Sequence, residues 1–405
     1  MNGPIIAIDV SKDSSHIQAF YDLNKKFSKV IEIKHDKDGL AYLLSLISEL
    51  FDTTNKEVSV VFEATGVYHK VIQRFLKEND VTFFMISPLM SAKFRQTELH
   101  ANKTDKLDPK HIAKVYYNVD FLREYILEED FYLELRKLNR YYEDCLVHLR
   151  KYKVQFKAML EEIFPTFNSK YGTSDIYIEV VLEIFKKYPH PELLIKANPE
   201  SNIRLSSNTN HHRNYVKNKI IKMKNISESI YSGVSIDDEV SQRLFINTIN
   251  NIQETNRMLE SVLNDMIKLA KQLDSFEIIK SIVGIGENLA ARIIAELGDL
   301  SKFNNKNQLI SYAGLDPMIR QSGQRSGMGL SITKKGNKYL RCLLYLGVTF
   351  NYRLKKNDPL YLFNQKKRQQ KSPLKPKAAN IATAHKLLDI IYGMCNNGTL
   401  YQLNK

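Results

Sequence analysis

Three short apolar segments, 5–10, 17–21 and 29–33, open the chain in immediate succession. The links between them are too short for a crossover, so each strand must turn back beside the last as an antiparallel meander. A helix follows over 39–50, with Leu40, Leu43, Leu44 and Ile47 at helical spacing. Then come a strand over 58–63, a helix near 69–79, a strand over 82–86 and a helix over 109–118. The order is βββαβαβα. Two of these strands end on an acid, Asp9 after Pro4-Ile5-Ile6-Ala7-Ile8 and Glu63 after Val58-Ser59-Val60-Val61-Phe62. Two more acids, Asp105 and Asp108, stand three apart just before the last helix.

That order is the order of a ribonuclease-H-like fold, in which the first and fourth strands lie side by side. Asp9 and Glu63 are then neighbours. Carboxylates that converge repel one another unless a cation lies between them. A divalent metal with oxygen ligands is the natural occupant, and two such ions can clamp a phosphodiester. A strand ending in Asp also opens actin-like ATPases and sugar kinases. There a glycine-rich phosphate turn follows, whereas here the next residues are Val10 and Ser11. Asp108 precedes Pro109 and reads equally as a helix N-cap; Asp105 has no such alternative. Each acid alone is a weak signal, and the four on this element order are a strong one.

The chain has 405 residues, room for two or three domains. Its 59 Lys and Arg against 45 Asp and Glu give a net charge of +14. That excess favours a polyanionic partner, nucleic acid first, with a lysine-rich compositional bias as the plainer explanation. The three cysteines, Cys145, Cys342 and Cys395, are too far apart for a zinc or CxxC site. With no signal-peptide pattern and no apolar run of about 20 residues, the expectation is a cytoplasmic protein without a membrane partner.

Long helices are expected over 128–162 and 236–274. With no Gly or Pro inside either, they pair as an antiparallel coiled-coil stalk or pack as an ordinary bundle. Between them 163–235 reads as irregular and polar, with a Ser/Asn loop over 201–212. His211 and His212 are adjacent on that loop, a poor geometry for one metal. Farther on, a short helix, Gly284-Ile285-Gly286 and a second helix through Leu297 form a helix-hairpin-helix pattern, a device for backbone phosphates. A second constellation joins Tyr312-Ala313-Gly314-Leu315-Asp316-Pro317, Arg320 to Gly327, and Ile332 to Arg341. Its serines sit among Gly and cations, and composition does not choose between Ser322, Ser326 and Ser331 as a nucleophile. The basic stretch 355–377 reads as a solvated arm that tracks phosphates.

Ile8-Asp9-Val10-Ser11-Lys12, Glu63-Ala64-Thr65-Gly66, Lys103-Thr104-Asp105 to Asp108, Gly284-Ile285-Gly286, the 312–317 run, Gln321-Ser322-Gly323 and Lys334-Lys335-Gly336-Asn337 together resemble the DEDD family of bacterial insertion-sequence transposases. This family includes the Piv/MooV-type DNA invertases and bridge-RNA-guided recombinases. The likeness covers roughly 3–160 and 275–350. It implies an α/β plus α chain with a RuvC-like DEDD domain over 1–125 and a coiled-coil stalk over 126–275 carrying the insertion 163–235. A helix-hairpin-helix transposase domain over 276–350 and a basic tail with a helix over 351–405 complete it. It further implies that Asp9, Glu63, Asp105 and Asp108 bind magnesium and that Ser322 is the nucleophile of a 5′-phosphoserine intermediate. Lys103, Gly284, Gly286, Arg320, Arg325, Lys334, Lys335 and Arg341 would contact nucleic acid. The implied partners are element-end and target DNA, a guide (bridge) RNA and further copies of the chain, a tetramer. Thr333 departs from the serine many relatives carry, a conservative change. Two other readings compete: a metal-dependent Holliday junction nuclease that does not use the serine, and a nucleic-acid-binding scaffold with an inactive site.

Overall fold

The computed structural model describes residues 3–64, 66–86, 91, 94, 109–118, 130–172, 175–201, 213–318, 331–354 and 358–402. They fall into two compact units, Met1–Leu127 and Glu128–Lys405.

The first unit is a five-stranded sheet. Strands β1 (Ile5–Val10), β2 (Ser14–Phe20) and β3 (Ile31–Lys34) form the expected meander. Helix α1 (Lys37–Thr54) follows, capped by Asp36, whose Oδ1 accepts from Gly39 N at 2.9 Å. Strand β4 (Ser59–Glu63) then pairs parallel with β1, and after helix α2 (His69–Glu78) strand β5 (Phe83–Ile86) pairs parallel with β4. The strand order is β3-β2-β1-β4-β5. Side chains alternate across the sheet. Ile6, Ile8, Val60 and Phe62 pack on the side of Leu43, Leu46, Ile72 and Leu76 of α1 and α2. Ile5, Ala7, Val61 and Phe84 pack on Ile112, Ala113 and Tyr116 of helix α3 (Pro109–Asn118).

The second unit is helical. The long helices α4 (Asp130–Ile163) and α9 (Glu239–Ala270) lie against each other in opposite directions, with Thr248 meeting Met159 and Tyr141 meeting Met258. The expected helix 236–274 is in fact two. α9 starts at its cap Asp238 and ends at Ala270, and an extended Leu273 separates it from helix α10 (Asp274–Lys280).

The segment 163–235 corrects the expectation of an irregular polar insertion. It holds helices α5 (Phe167–Tyr171), α6 (Glu179–Lys187), α7 (Pro191–Ile195) and α8 (Arg213–Ser227). Their core is a knot of rings: Phe164, Phe167 and Phe185 close on Phe156 and Phe245 from the long helices, with centroids 5.1 to 6.2 Å apart. His211 and His212 lie outside the described residues.

Helices α11 (Glu287–Leu297), α12 (Lys306–Ala313), α13 (Lys338–Leu354), α14 (Pro359–Gln369) and α15 (Pro376–Asn397) complete the unit around a second core. Most of the basic tail is therefore not a solvated arm. Asp358 caps α14 through Leu360 N and Tyr361 N, and Leu360 and Asn364 are buried. Arg368 is spent on Asn364, on Asn380 and on the ring of Tyr352. Among the described residues, no helix is long and apolar enough to cross a membrane.

Candidate functional site

Ile8 pairs with Phe62 across β1 and β4, so Asp9 and Glu63 come next on neighbouring parallel strands. Alternation places both on the face shared by Ala7 and Val61, the face that α3 covers. Asp9 is 8% exposed and Glu63 6%. Two acids are thus withdrawn from water side by side, an arrangement that a cation between them favours strongly.

The direction of α3 adds to this. The Tyr117 hydroxyl, near its C-terminus, donates to Gly3 O at 2.8 Å, before the start of β1. The hydroxyl of Tyr116 lies by Ser59 at the start of β4. The helix therefore runs back along the strands, and its N-terminus, Pro109, lies toward the end that carries Asp9 and Glu63. The positive end of its dipole favours anionic groups there. Asp108 directly precedes Pro109 in sequence. Asp105, Asp108 and Lys103 lie outside the described residues, and among those described no three His, Cys, Asp or Glu side chains gather as a metal site. Two hard carboxylate donors suit magnesium better than a soft metal.

In the helical unit, two runs of the second constellation form the two sides of one stem. Met318 N donates to Ser331 O at 2.9 Å, Thr333 N to Asp316 O at 2.9 Å and Lys334 N to Gly314 O at 3.2 Å, and Pro317 bridges Ile332. The Thr333 hydroxyl donates to Asp316 Oδ1 at 2.7 Å, a bond that serine would make equally well. Gly336 closes the stem. A Cβ there would fall 2.4 Å from Tyr312 O and 2.7 Å from Gly314 N, so only glycine lets the strands approach. The segment that starts after Met318 and returns at Ser331 carries Ser322, Ser326, Arg320 and Arg325, which lie outside the described residues. Ser331 itself stands exposed at the foot of the stem.

The stem is anchored to a carboxylate that sequence reasoning missed. Glu296 on α11 is fully buried. Its Oε1 accepts from Asn139 Nδ2 at 2.6 Å, and its Oε2 accepts from Arg140 Nη2 at 2.8 Å and Asn337 Nδ2 at 2.7 Å. Its carbonyl accepts from the Tyr312 hydroxyl at 3.0 Å. Asn337 in turn caps α13 through Tyr339 N and Leu340 N, and Arg140 stacks 3.7 Å from the Tyr339 ring. The available signal was Arg292 and Glu296, two charges four apart in an otherwise apolar stretch of helix.

The expected nucleic-acid contacts divide. Lys334 and Lys335 are exposed. Arg341 is turned inward, with Nη1 donating to Ala313 O at 2.7 Å, so its first role is in the stem. Gly284, at φ +93°, abuts α13: a Cβ would lie 2.5 Å from Asn351 N. Its glycine is required by the protein's own packing. Gly286 precedes α11 with open space beside it, leaving that helix N-terminus accessible.

Comparison with known proteins adds an independent finding. A family model described as Transposase matches residues 6–165, and a model of the transposase IS116/IS110/IS902 family matches residues 276–361. The mini-circle transposase candidate of IS117 from Streptomyces coelicolor is 23% identical over 312 residues, 75% of this chain and 73% of that protein. The transposase of IS1111A from Coxiella burnetii is 29% identical over 33% of this chain and 36% of its own length. The pilin gene-inverting protein of Moraxella bovis is 28% identical over 45% of this chain and 54% of its own length. Among solved structures, a T. thermophilus RuvC in complex with a Holliday junction substrate overlaps 30% of this chain and 99% of its own, at 11% identity and a TM-score of 0.23. At that score the overlap carries no argument.

Proposed function

The chain belongs to the IS116/IS110/IS902 family of insertion-sequence transposases, and on that footing we propose that it cuts and exchanges DNA strands through a metal-assisted serine mechanism. The observation that carries the reading is the burial of Asp9 and Glu63 side by side, within the segment matched by a transposase model.

Asp9 and Glu63, with Asp105 and Asp108, would hold magnesium. When bound, the metal supplies neutralisation of charge on the phosphate and a lowered pKa for an oxygen nucleophile. The Ser322 hydroxyl attacks phosphorus. The serine gives up its proton, the bond to the 3′ oxygen breaks, the leaving 3′ oxygen takes up a proton to become a hydroxyl, and a 5′-phosphoserine forms. Attack by another strand's 3′ hydroxyl reverses these steps and frees the serine. The phosphodiester energy is kept in the covalent link, so no nucleotide hydrolysis is needed. Arg320, Arg325, Lys103, Lys334 and Lys335 would offset phosphate charge, and the accessible turn at Gly286 would take a backbone phosphate. The Glu296-anchored stem fixes where the serine segment begins and ends.

On this reading a guide RNA selects the element ends and the target by pairing, which leaves the protein to recognise shape and backbone. The sheet unit of one copy works with the serine of another, in a tetramer. The test is cleavage of supercoiled DNA bearing the joined element ends, with magnesium and the element's transcript, by wild type, Asp9→Ala and Ser322→Ala. A denaturation-resistant protein–DNA adduct lost in both variants supports the mechanism. Cleavage without an adduct, indifferent to Ser322→Ala, would replace it with a metal-only junction nuclease.

A further inference from the structure

Helix α8 carries five cations, Arg213, Lys217, Lys219, Lys222 and Lys224, and no acid. Val216, Ile220 and Met223 fix its inner side in the aromatic core. At its N-terminal end, Arg213 and Lys217 share Glu200. Farther along, the arrangement changes. Lys219 and Lys222, three residues apart, lie on one side of the helix. Both ammonium groups converge on one ring, at 5.5 and 4.1 Å from the centroid of Tyr171. Lys219 also sits 5.3 Å from the Tyr215 ring, and Lys222 donates to Tyr171 O at 3.3 Å. Lys170, the neighbour of Tyr171, donates to Ser229 Oγ at 2.7 Å. Among the described residues, none of Lys170, Lys219 and Lys222 forms an ion pair.

Like charges drawn together repel. Ring faces attract each ammonium without cancelling its charge. An external polyanion resolves the conflict, as a metal does for converging carboxylates. We infer that this side of α8 is a docking surface for the phosphate backbone of duplex DNA. The choice of DNA rests on the transposase reading. The choice of duplex backbone over unstacked bases rests on the rings. Tyr171 is 3% exposed with ammonium groups over it, so it offers no platform for a base. From Arg213 to Lys224 the helix rises about 16 Å, along which B-DNA presents roughly nine charges. The surface lies between the segments 6–165 and 276–361 that the family models match. Segment 163–235 would thereby grip DNA through a surface of its own.

The test measures binding of the full-length protein to a duplex DNA of arbitrary sequence across a salt series, for wild type, K219Q/K222Q, K219R/K222R and K170Q. Loss of two phosphate contacts should lower the slope of log affinity against log salt by nearly 2 in K219Q/K222Q, and by nearly 1 in K170Q. K219R/K222R should keep the wild-type slope. K170Q leaves α8 untouched, so it carries the test even if the double variant unfolds. Unchanged slopes in both Gln variants overturn the inference, as does a loss confined to single-stranded RNA. Wild type that exchanges DNA strands while the slopes stay equal sinks this surface alone; wild type that binds no duplex sinks the transposase reading with it.

Discussion

Glu296 in the helical unit and the Asp9–Glu63 pair in the sheet unit are similarly withdrawn from water, at 0%, 8% and 6% exposure, yet they stand beside different neighbours. Glu296 is met by a guanidinium and two side-chain amides, all from this chain, at 2.6 to 2.8 Å. Asp9 is met in register by a second carboxylate. A buried acid encircled by its own donors holds structure together. A buried acid set beside another acid favours a cation between the two.

The largest effect comes from setting one variant of each kind side by side. Glu296→Leu strips the partner from Arg140, Asn139 and Asn337 and should destabilise the helical unit by about 3 kcal/mol in thermal unfolding. Asp9→Asn removes one of two neighbouring negative charges. It should leave the stability of the sheet unit unchanged or raise it, while strand cleavage falls at least about 100-fold. If Asp9→Asn unfolds the protein as readily as Glu296→Leu, the contrast is lost and Asp9 is structural. A smaller effect sharpens the same point. Magnesium at ten to a hundred times its dissociation constant should add about 1.4–2.7 kcal/mol to the sheet unit of wild type and nothing to Asp9→Asn; equal shifts in both would place the ion elsewhere. The smallest concerns the stem. Thr333→Val should cost about 1 kcal/mol and reduce adduct yield, whereas Thr333→Ser should match wild type in both. Equal behaviour of Val and Ser would remove the Asp316 bond from the account.

The sheet unit was legible because its information is local. Period-two alternation and short links name the strands, and the acids at their ends follow from register. The ring knot around Phe185 was not legible, since Phe156 and Phe245 enter it from helices nearly 90 residues apart in sequence, and the apolar run 176–185 does not by itself name those partners. Glu296 was missed for a related reason. Its donors come from Asn139, Arg140 and Asn337, far away along the chain, and an acid on a helix reads as solvated until those partners are known. Lys366, Lys367 and Arg368 read as a free arm because charge patterning does not reveal that Leu360 and Asn364, on the same helix, are buried.

The seam between 314–318 and 331–334 has an evolutionary consequence. Bringing the ends of a loop together carries an entropy cost that grows only slowly with the number of residues enclosed. Here that closure is fixed by backbone bonds, by Gly336 and by the Thr333–Asp316 pair, outside the enclosed segment itself. The described bonds of the stem therefore draw on no residue between Met318 and Ser331, and a change there other than at the proposed Ser322, Arg320 and Arg325 leaves those bonds in place.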